Sequence, residues 1–314
     1  MKMELGKANL DVFAETLLEL ARQDRDILVL TSDSRGSAKL GRFGELLPQQ
    51  LIEVGIAEQN LVGIAAGLAS AGKKVFAVSP ACFLTARALE QIKNDVAYAN
   101  HLVKLVGISA GVSYGALGST HHSLHDFAVL RAINNIDIVA PADNFETREA
   151  IRAAVCHPRP IYLRFGKRPM FDVHGPAADF KIGKGSTVRD GTDLTFMAIG
   201  ETVYPALSAG LELEARGISC RVISMHTLKP LDVECILKAA GETHALITVE
   251  EHSVHGGLGE ACAAVLAQRR IILPFRIVGI PDEATVNGSQ PEIFEHYGIS
   301  TKGLFEKALQ ILSS

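Results

Sequence analysis

The chain has 314 residues, 47% of them hydrophobic and 21% charged, with a formal net charge of −4. That length exceeds one ordinary core and the apolar content is enough for two, so two domains are expected. The acidic balance provides no basic field to hold a phosphate backbone, and charge or glycine cuts every apolar run short of a membrane span, so neither nucleic acid nor a membrane is an expected partner.

The five cysteines are scattered, odd in number and without a C-x-x-C pair, which suggests neither a disulfide framework nor a zinc site. No continuous apolar stretch precedes Asp11 and Glu15, so no signal peptide is expected and a reducing cytoplasm fits. In chain order, helix-like segments then alternate with short aliphatic or β-branched runs. Helices are predicted over 9–23, 58–70, 85–99 and 145–155, and strands over 27–30, 75–78, 102–108, 136–140 and 161–164. From Arg168 to Lys184, Pro169, Gly175, Pro176 and Gly183 interrupt any periodicity and mark a linker. A second run follows, with strands over 193–199, 219–223, 245–249 and 275–279 and helices over 203–216 and 259–268. The fold class is α/β, two domains each built on a largely parallel sheet flanked by helices.

Several segments carry residues suited to chemistry. The strand over 27–30 runs into Thr31-Ser32-Asp33-Ser34-Arg35-Gly36-Ser37, a polar strand-end turn. Gly55-Ile56-Ala57-Glu58-Gln59-Asn60 places one carboxylate, Glu58, at the start of an apolar, small-residue helix, where the helix dipole alone would also favour it. In Ser79-Pro80-Ala81-Cys82-Phe83-Leu84-Thr85-Ala86-Arg87, Phe83 stands at a strand end and Arg87 lies within helical reach of the same face. The stretch from Gly115 to Asp126 holds three imidazoles within five positions. His121 and His125 have the i, i+4 spacing of a metal pair, but the glutamate of H-E-x-x-H is absent. Arg164 ends its strand, and arginine suits either a phosphate or a salt bridge. Glu250-Glu251-His252-Ser253-Val254-His255-Gly256-Gly257-Leu258-Gly259 opens a helix after a strand without the G-x-G-x-x-G spacing of a dinucleotide site.

Taken together, G-I-A-E-Q-N over 55–60 and G-I-A-A-G-L-A over 63–69 resemble the pyrimidine-domain motif of transketolases and 1-deoxyxylulose 5-phosphate synthases. The resemblance covers residues 10–312 and begins where full-length transketolases are already halfway through. It implies a pyrimidine-binding domain over 1–170, a linker over 171–187 and a transketolase C-terminal domain over 188–314. It also implies thiamine diphosphate as cofactor. Glu58 would hydrogen-bond a ring nitrogen of the aminopyrimidine, favouring the imino tautomer whose nitrogen removes the thiazolium proton; an aspartate would be a methylene too short. A carboxyl group in an apolar setting can share a proton with the ring. By the same resemblance Phe83 stacks on the aminopyrimidine, Arg87 lies near it, and the Asp33 loop contacts cofactor and substrate. Ser37 and Arg164 would bind substrate phosphate. His121 matches the histidine of the family's G-E-D-G-x-T-H-Q loop, which faces the substrate. The E-E-H-S-x-x-G-G-L-G segment resembles one in the C-terminal domain, with a packing role.

The departures from the pattern are equally specific. Ala116 and Leu117 replace the glutamate and aspartate of that loop, and a leucine cannot accept a hydrogen bond from a sugar hydroxyl, which implies an acceptor or donor of different substitution. Ser109 stands where many transketolases place a phosphate-contacting histidine, and Ala86 and Leu89 provide no second aromatic. No G-D-G, the family's signature for holding the diphosphate's metal, occurs in the chain. The resemblance thus implies an incomplete half of an enzyme that transfers a two-carbon ketol unit between sugar phosphates. A separate N-terminal diphosphate-binding subunit would hold the magnesium or other divalent ion, in an α2β2 heterotetramer. Three other readings are a 2-oxo acid dehydrogenase beta subunit, half of a deoxyxylulose synthase, and a non-catalytic assembly subunit. The G-I-A-E-Q-N and T-H-H motifs count against the first, the Asp33 loop against the second, and the joint presence of Glu58, Phe83 and His121 against the third.

Overall fold

The computed structural model describes residues 3–175 and 178–313; Met1 and Lys2 at the start and Pro176 of the expected linker lie outside the described residues. The first half carries strands β1 (Leu5–Ala8), β2 (Ile27–Thr31), β3 (Leu51–Glu53), β4 (Lys74–Pro80), β5 (Lys104–Ile108), β6 (Asp137–Val139), β7 (Ile161–Arg164) and β8 (Pro169–Phe171). The second carries β9 (Ser186–Arg189), β10 (Leu194–Ala198), β11 (Cys220–Ser224), β12 (Thr227–Lys229), β13 (Ala245–Ser253) and β14 (Phe275–Ile280). They assemble into a seven-stranded sheet ordered β12-β6-β7-β5-β4-β2-β3, a five-stranded sheet ordered β14-β13-β10-β11-β9 and a β1-β8 ribbon. Each large sheet is parallel except for one antiparallel edge strand, β12 and β9 respectively.

The central strands are buried on both faces, which is why they read as unbroken apolar runs. Helices supply the cover. Asn9–Gln23 buries Leu10, Phe13, Leu17 and Ala21, a stripe at helical spacing, and packs against Asn144–Val155, whose start is capped by the Asp143 side chain accepting from the Glu146 N–H.

One expected element is divided. The helix over 85–99 is replaced by Ala81–Arg87, Leu89–Gln91 and a π-helical turn Ile92–Tyr98, with Ala88 leaving helical geometry at φ −102°, ψ 20°. Leu84, Ala88, Ile92 and Val96 are all fully buried at four-residue intervals, so the apolar period continues straight through the break. β12 lies within the expected second domain, yet it pairs with β6 and closes the edge of the first sheet. A buried cluster also runs without interruption from Leu61, Leu84 and Phe127 to Met197, Leu246 and Leu258, so the two halves share apolar core. No helix among the described residues is long and apolar enough to cross a membrane.

β2, β4 and β5 end along one edge of the first sheet, and the segments after them hold Asp33 and Ser37, Phe83 and Arg87, and His121. Ligands of parallel α/β sheets bind at this carboxyl edge.

Candidate active site

Glu58 opens the helix Glu58–Ser70 and is 4% exposed. Both its carboxylate oxygens accept from Arg87 Nη1 at 3.0 Å. Arg87, half of whose side chain is exposed, lays its guanidinium 4.3 Å from the centroid of the Phe83 ring, one helical turn earlier. Phe83 in turn meets His121 edge-on at 5.4 Å and 71°. His121 meets Tyr114 in the same manner at 5.4 Å, and Lys167 Nζ lies 4.7 Å from the Tyr114 ring centroid. Four of the expected residues therefore fall in one row, Glu58, Arg87, Phe83 and His121, which Tyr114 and Lys167 extend.

The segments are held in place from several sides. Glu53 accepts from the Thr31 hydroxyl at 2.6 Å and from the Asp33 and Gly55 N–H groups at 2.7 and 3.0 Å. Burial would raise its carboxyl, but these donors hold it below the usual range. One ionised carboxylate thus fixes both the Asp33 turn, where φ is +54°, and the approach to Glu58. The Asp33 and Ser37 side chains are exposed and, among the described residues, make no hydrogen bond or ion pair with the row. Leu117, in a 3-10 turn, is 56% exposed. His121 and His125 do not converge as a metal pair: His121 Nδ1 bonds the Thr120 hydroxyl, and His125 Nε2 bonds the Thr85 hydroxyl, which itself donates to the Ala81 carbonyl.

Arg164 departs from the expectation of a phosphate ligand. Its side chain is 5% exposed, and its guanidinium donates to Asp126 at 2.8 Å and to the Ser123 and Glu251 carbonyls, while stacking over Phe127. Burial alone would lift the Asp126 carboxyl, but Arg164 and His252 hold it below the usual range, so the pair stays ionised. The arginine is committed to joining the two domains, because its acceptors come from both. Beside it Glu251 accepts from the Val112 N–H and from Gln290, while Glu250 accepts from the N–H groups of Leu258 and Gly259 and caps the helix Leu258–Gln268. Burial pushes Glu250 up to about 7. The Glu250 to Gly259 segment is thus helix cap and domain joint together.

The residues of the row fit a thiamine pyrimidine. A planar, nitrogen-bearing group, the Arg87 guanidinium, already lies over Phe83 while donating to Glu58, and these are the contacts an aminopyrimidine requires. Glu53, Tyr114 and Lys167 were not singled out by sequence. Only Lys167 left a signal there, as a second cation three positions after Arg164.

Residues 6–170 match the transketolase pyrimidine binding domain and residues 183–304 the transketolase C-terminal domain. A subunit of the apulose-4-phosphate transketolase of Phocaeicola vulgatus is 52% identical over 96% of this chain and 96% of its own. A putative transketolase C-terminal section of Methanocaldococcus jannaschii is 38% identical over 95% of this chain and 94% of its own. A solved structure described as a split gene transketolase, an inactive beta4 tetramer, superposes with a TM-score of 0.87 at 35% identity, covering 98% of this chain and 99% of that one.

Proposed function

Because the chain belongs to the transketolase family, as the C-terminal subunit of a split enzyme, we propose that it completes an active site shared with a separate diphosphate-binding subunit. The observation that carries this reading is the row in which a buried carboxylate, an aromatic face and an imidazole follow one another. The family depends on thiamine diphosphate, which when bound supplies the nucleophilic carbon for ketol transfer. The side chains of this chain do the rest. With the cofactor bound, Glu58 would share a proton with a ring nitrogen, Phe83 would stack on the aminopyrimidine and Arg87 would lie near it. His121 hydrogen-bonds substrate hydroxyls and moves a proton at the reacting carbonyl. Leu117 presents an apolar wall where a hydroxyl-binding group would otherwise discriminate, which favours a substrate of unusual substitution. Asp33 and Ser37, in the turn after β2, would contact cofactor and substrate.

In this reading residues 1–170 and 188–314 are the two domains. The magnesium or other divalent ion belongs to the partner, the assembly is an α2β2 heterotetramer, and the complex works in the cytoplasm. The Phocaeicola relative is part of an apulose-4-phosphate transketolase, which makes apulose 4-phosphate the first sugar phosphate to test. The purified chain is expected to transfer no ketol group, and mixing it with the diphosphate-binding subunit and cofactor is expected to restore turnover. Ketol transfer by this chain with no second polypeptide detectable by mass spectrometry would overturn the reading.

A further inference from the structure

The loop after β5, which presents His121, is closed at its base by the second domain. Gly111, at φ +61°, bridges Ser123, whose N–H donates to the Gly111 carbonyl at 2.8 Å. Glu251, in β13 and 1% exposed, reaches across the joint to that closure. Its Oε1 accepts from the Val112 N–H at 2.9 Å, and its carboxyl fills the place where a Cβ on Gly111 would collide with it. Arg164 secures the other end of the loop, donating to the Ser123 carbonyl at 3.4 Å and to the Glu251 carbonyl at 2.8 Å. Behind Glu251, Gln290 Nε2 donates to Glu251 Oε1 at 2.8 Å and to Glu201 Oε2 at 2.6 Å, so one amide group stands between two carboxyls. Glu201 in turn is seated on Gly166, after β7, and leaves no room there for a side chain. Burial and the charge of Glu201 push Glu251 up to about 8, while Arg164, itself neutralised by Asp126, opposes them. Glu251 is therefore an uncharged carboxyl at neutral pH, with Oε1 accepting from two N–H groups.

We infer that Glu251 is a positioning residue for the reaction: from the second domain it sets the base of the loop, and so the place of His121, with Gln290 and Glu201 holding it from behind. The assignment rests on the ketol-transfer reading above, in which His121 meets the substrate, and deepens it by giving the C-terminal domain a part in presenting that imidazole. Packing alone does not call for these groups. A buried carboxyl costs free energy that an apolar side chain of similar size does not, and Glu251 offsets the cost by accepting from the loop and from Gln290. Its hold on the loop runs through a single acceptor atom, so an amide at this position keeps the contact and an alanine loses it.

The test uses the assembled complex with thiamine diphosphate, one fixed ketose donor and glyceraldehyde 3-phosphate as acceptor. In Glu251→Ala, kcat is expected to fall about ten- to hundredfold, the scale on which a misplaced catalytic group costs rate, while the affinity for thiamine diphosphate is unchanged. Glu251→Gln should recover most of the loss, because its amide oxygen still accepts from Val112. Should Glu251→Ala fail to fold, Gln290→Leu, which removes the amide between the two carboxyls, is expected to show a smaller fall of the same kind. Unaltered kcat in the folded variant, or a loss of cofactor affinity as large as the loss of kcat, overturns the assignment. Amide hydrogen exchange provides a reading independent of turnover. Faster exchange in Glu251→Ala confined to residues 111–123 supports the assignment, and unchanged exchange there, or faster exchange throughout both domains, refutes it. Those outcomes stand even if the wild-type complex were to transfer no ketol group, a result that would refute the proposed function instead.

Discussion

Glu58 sets the chemistry at the scale of single residues. It is buried, and its one charged contact is to an arginine half in solvent, so the pair is screened and Arg87 can leave without stranding a charge of its own. Glu58→Gln keeps the volume and one hydrogen bond to Arg87 but removes the proton that a carboxyl shares with a ring nitrogen. In the assembled complex kcat is expected to fall by about two to four orders of magnitude, with folding and assembly retained. Near-normal turnover in that variant would leave Glu58 as a helix-terminus carboxylate and nothing more. Glu58, Phe83 and His121 were legible in the sequence because each lies inside a contiguous motif. Tyr114 and Lys167 were not, since their relation is a through-space contact between the ends of two strands. The acceptors that bury Arg164 come from Asp126, Ser123 and Glu251, far from it along the chain, and nothing beside Arg164 in the sequence signals them.

Among the elements, the loop after β5 depends on the second domain for its shape. A Cβ on Gly115 would lie 2.8 Å from the Gly288 carbonyl oxygen, and one on Gly118 would lie 2.6 Å from Asn287 Oδ1, with φ at +52° and +71°. His122 bonds the Gly115 carbonyl through Nε2 and the Thr285 hydroxyl through Nδ1, at 2.9 and 3.0 Å. Burial lowers the basicity of His122, which keeps the ring neutral, with one nitrogen donating and the other accepting. Gly118→Ala therefore meets both a backbone penalty and a side-chain collision. It is expected to cost about 1–3 kcal/mol of stability and to reduce kcat more than that loss explains, because His121 moves with the loop. Calorimetry and kinetics on the same sample would check this, and unaltered kcat in the folded variant would show that the brace does not reach His121. Periodicity located the helices and strands of both sheets where apolar runs are long. It missed the short strands β1, β3, β8, β9 and β12 and the helices Val233–Glu242, Gln290–Tyr297 and Thr301–Leu312, and it fused Ala81–Arg87 with the turns that follow because the buried stripe crosses the break.

For the whole molecule, the joint between the two halves also contains a charge whose state depends on pH. His174, in the segment that connects them, has a side chain 2% exposed. Its Nδ1 lies 2.9 Å from Asp143, and its Nε2 lies 3.2 Å from both Glu146 and the Ser186 hydroxyl at the start of β9. Burial alone would lower the pKa of this imidazole, but the two carboxylates outweigh it and raise it to about 10. The ring is therefore an imidazolium at neutral pH, fastening the start of helix Asn144–Val155 to the first strand of the second sheet. A group whose folded pKa lies above its unfolded value of 6.5 contributes stability that is complete below that value and is lost as pH rises through the folded pKa. The thermal midpoint of the wild type is expected to fall between pH 6.5 and pH 10. His174→Asn, which cannot carry the charge, should melt lower at pH 6.5 and lose much of that slope, so that the two curves converge towards pH 10. Parallel curves across the window would mean that the imidazole is neutral in the folded protein and that the joint is held by packing and by the ionised pair of Arg164 and Asp126.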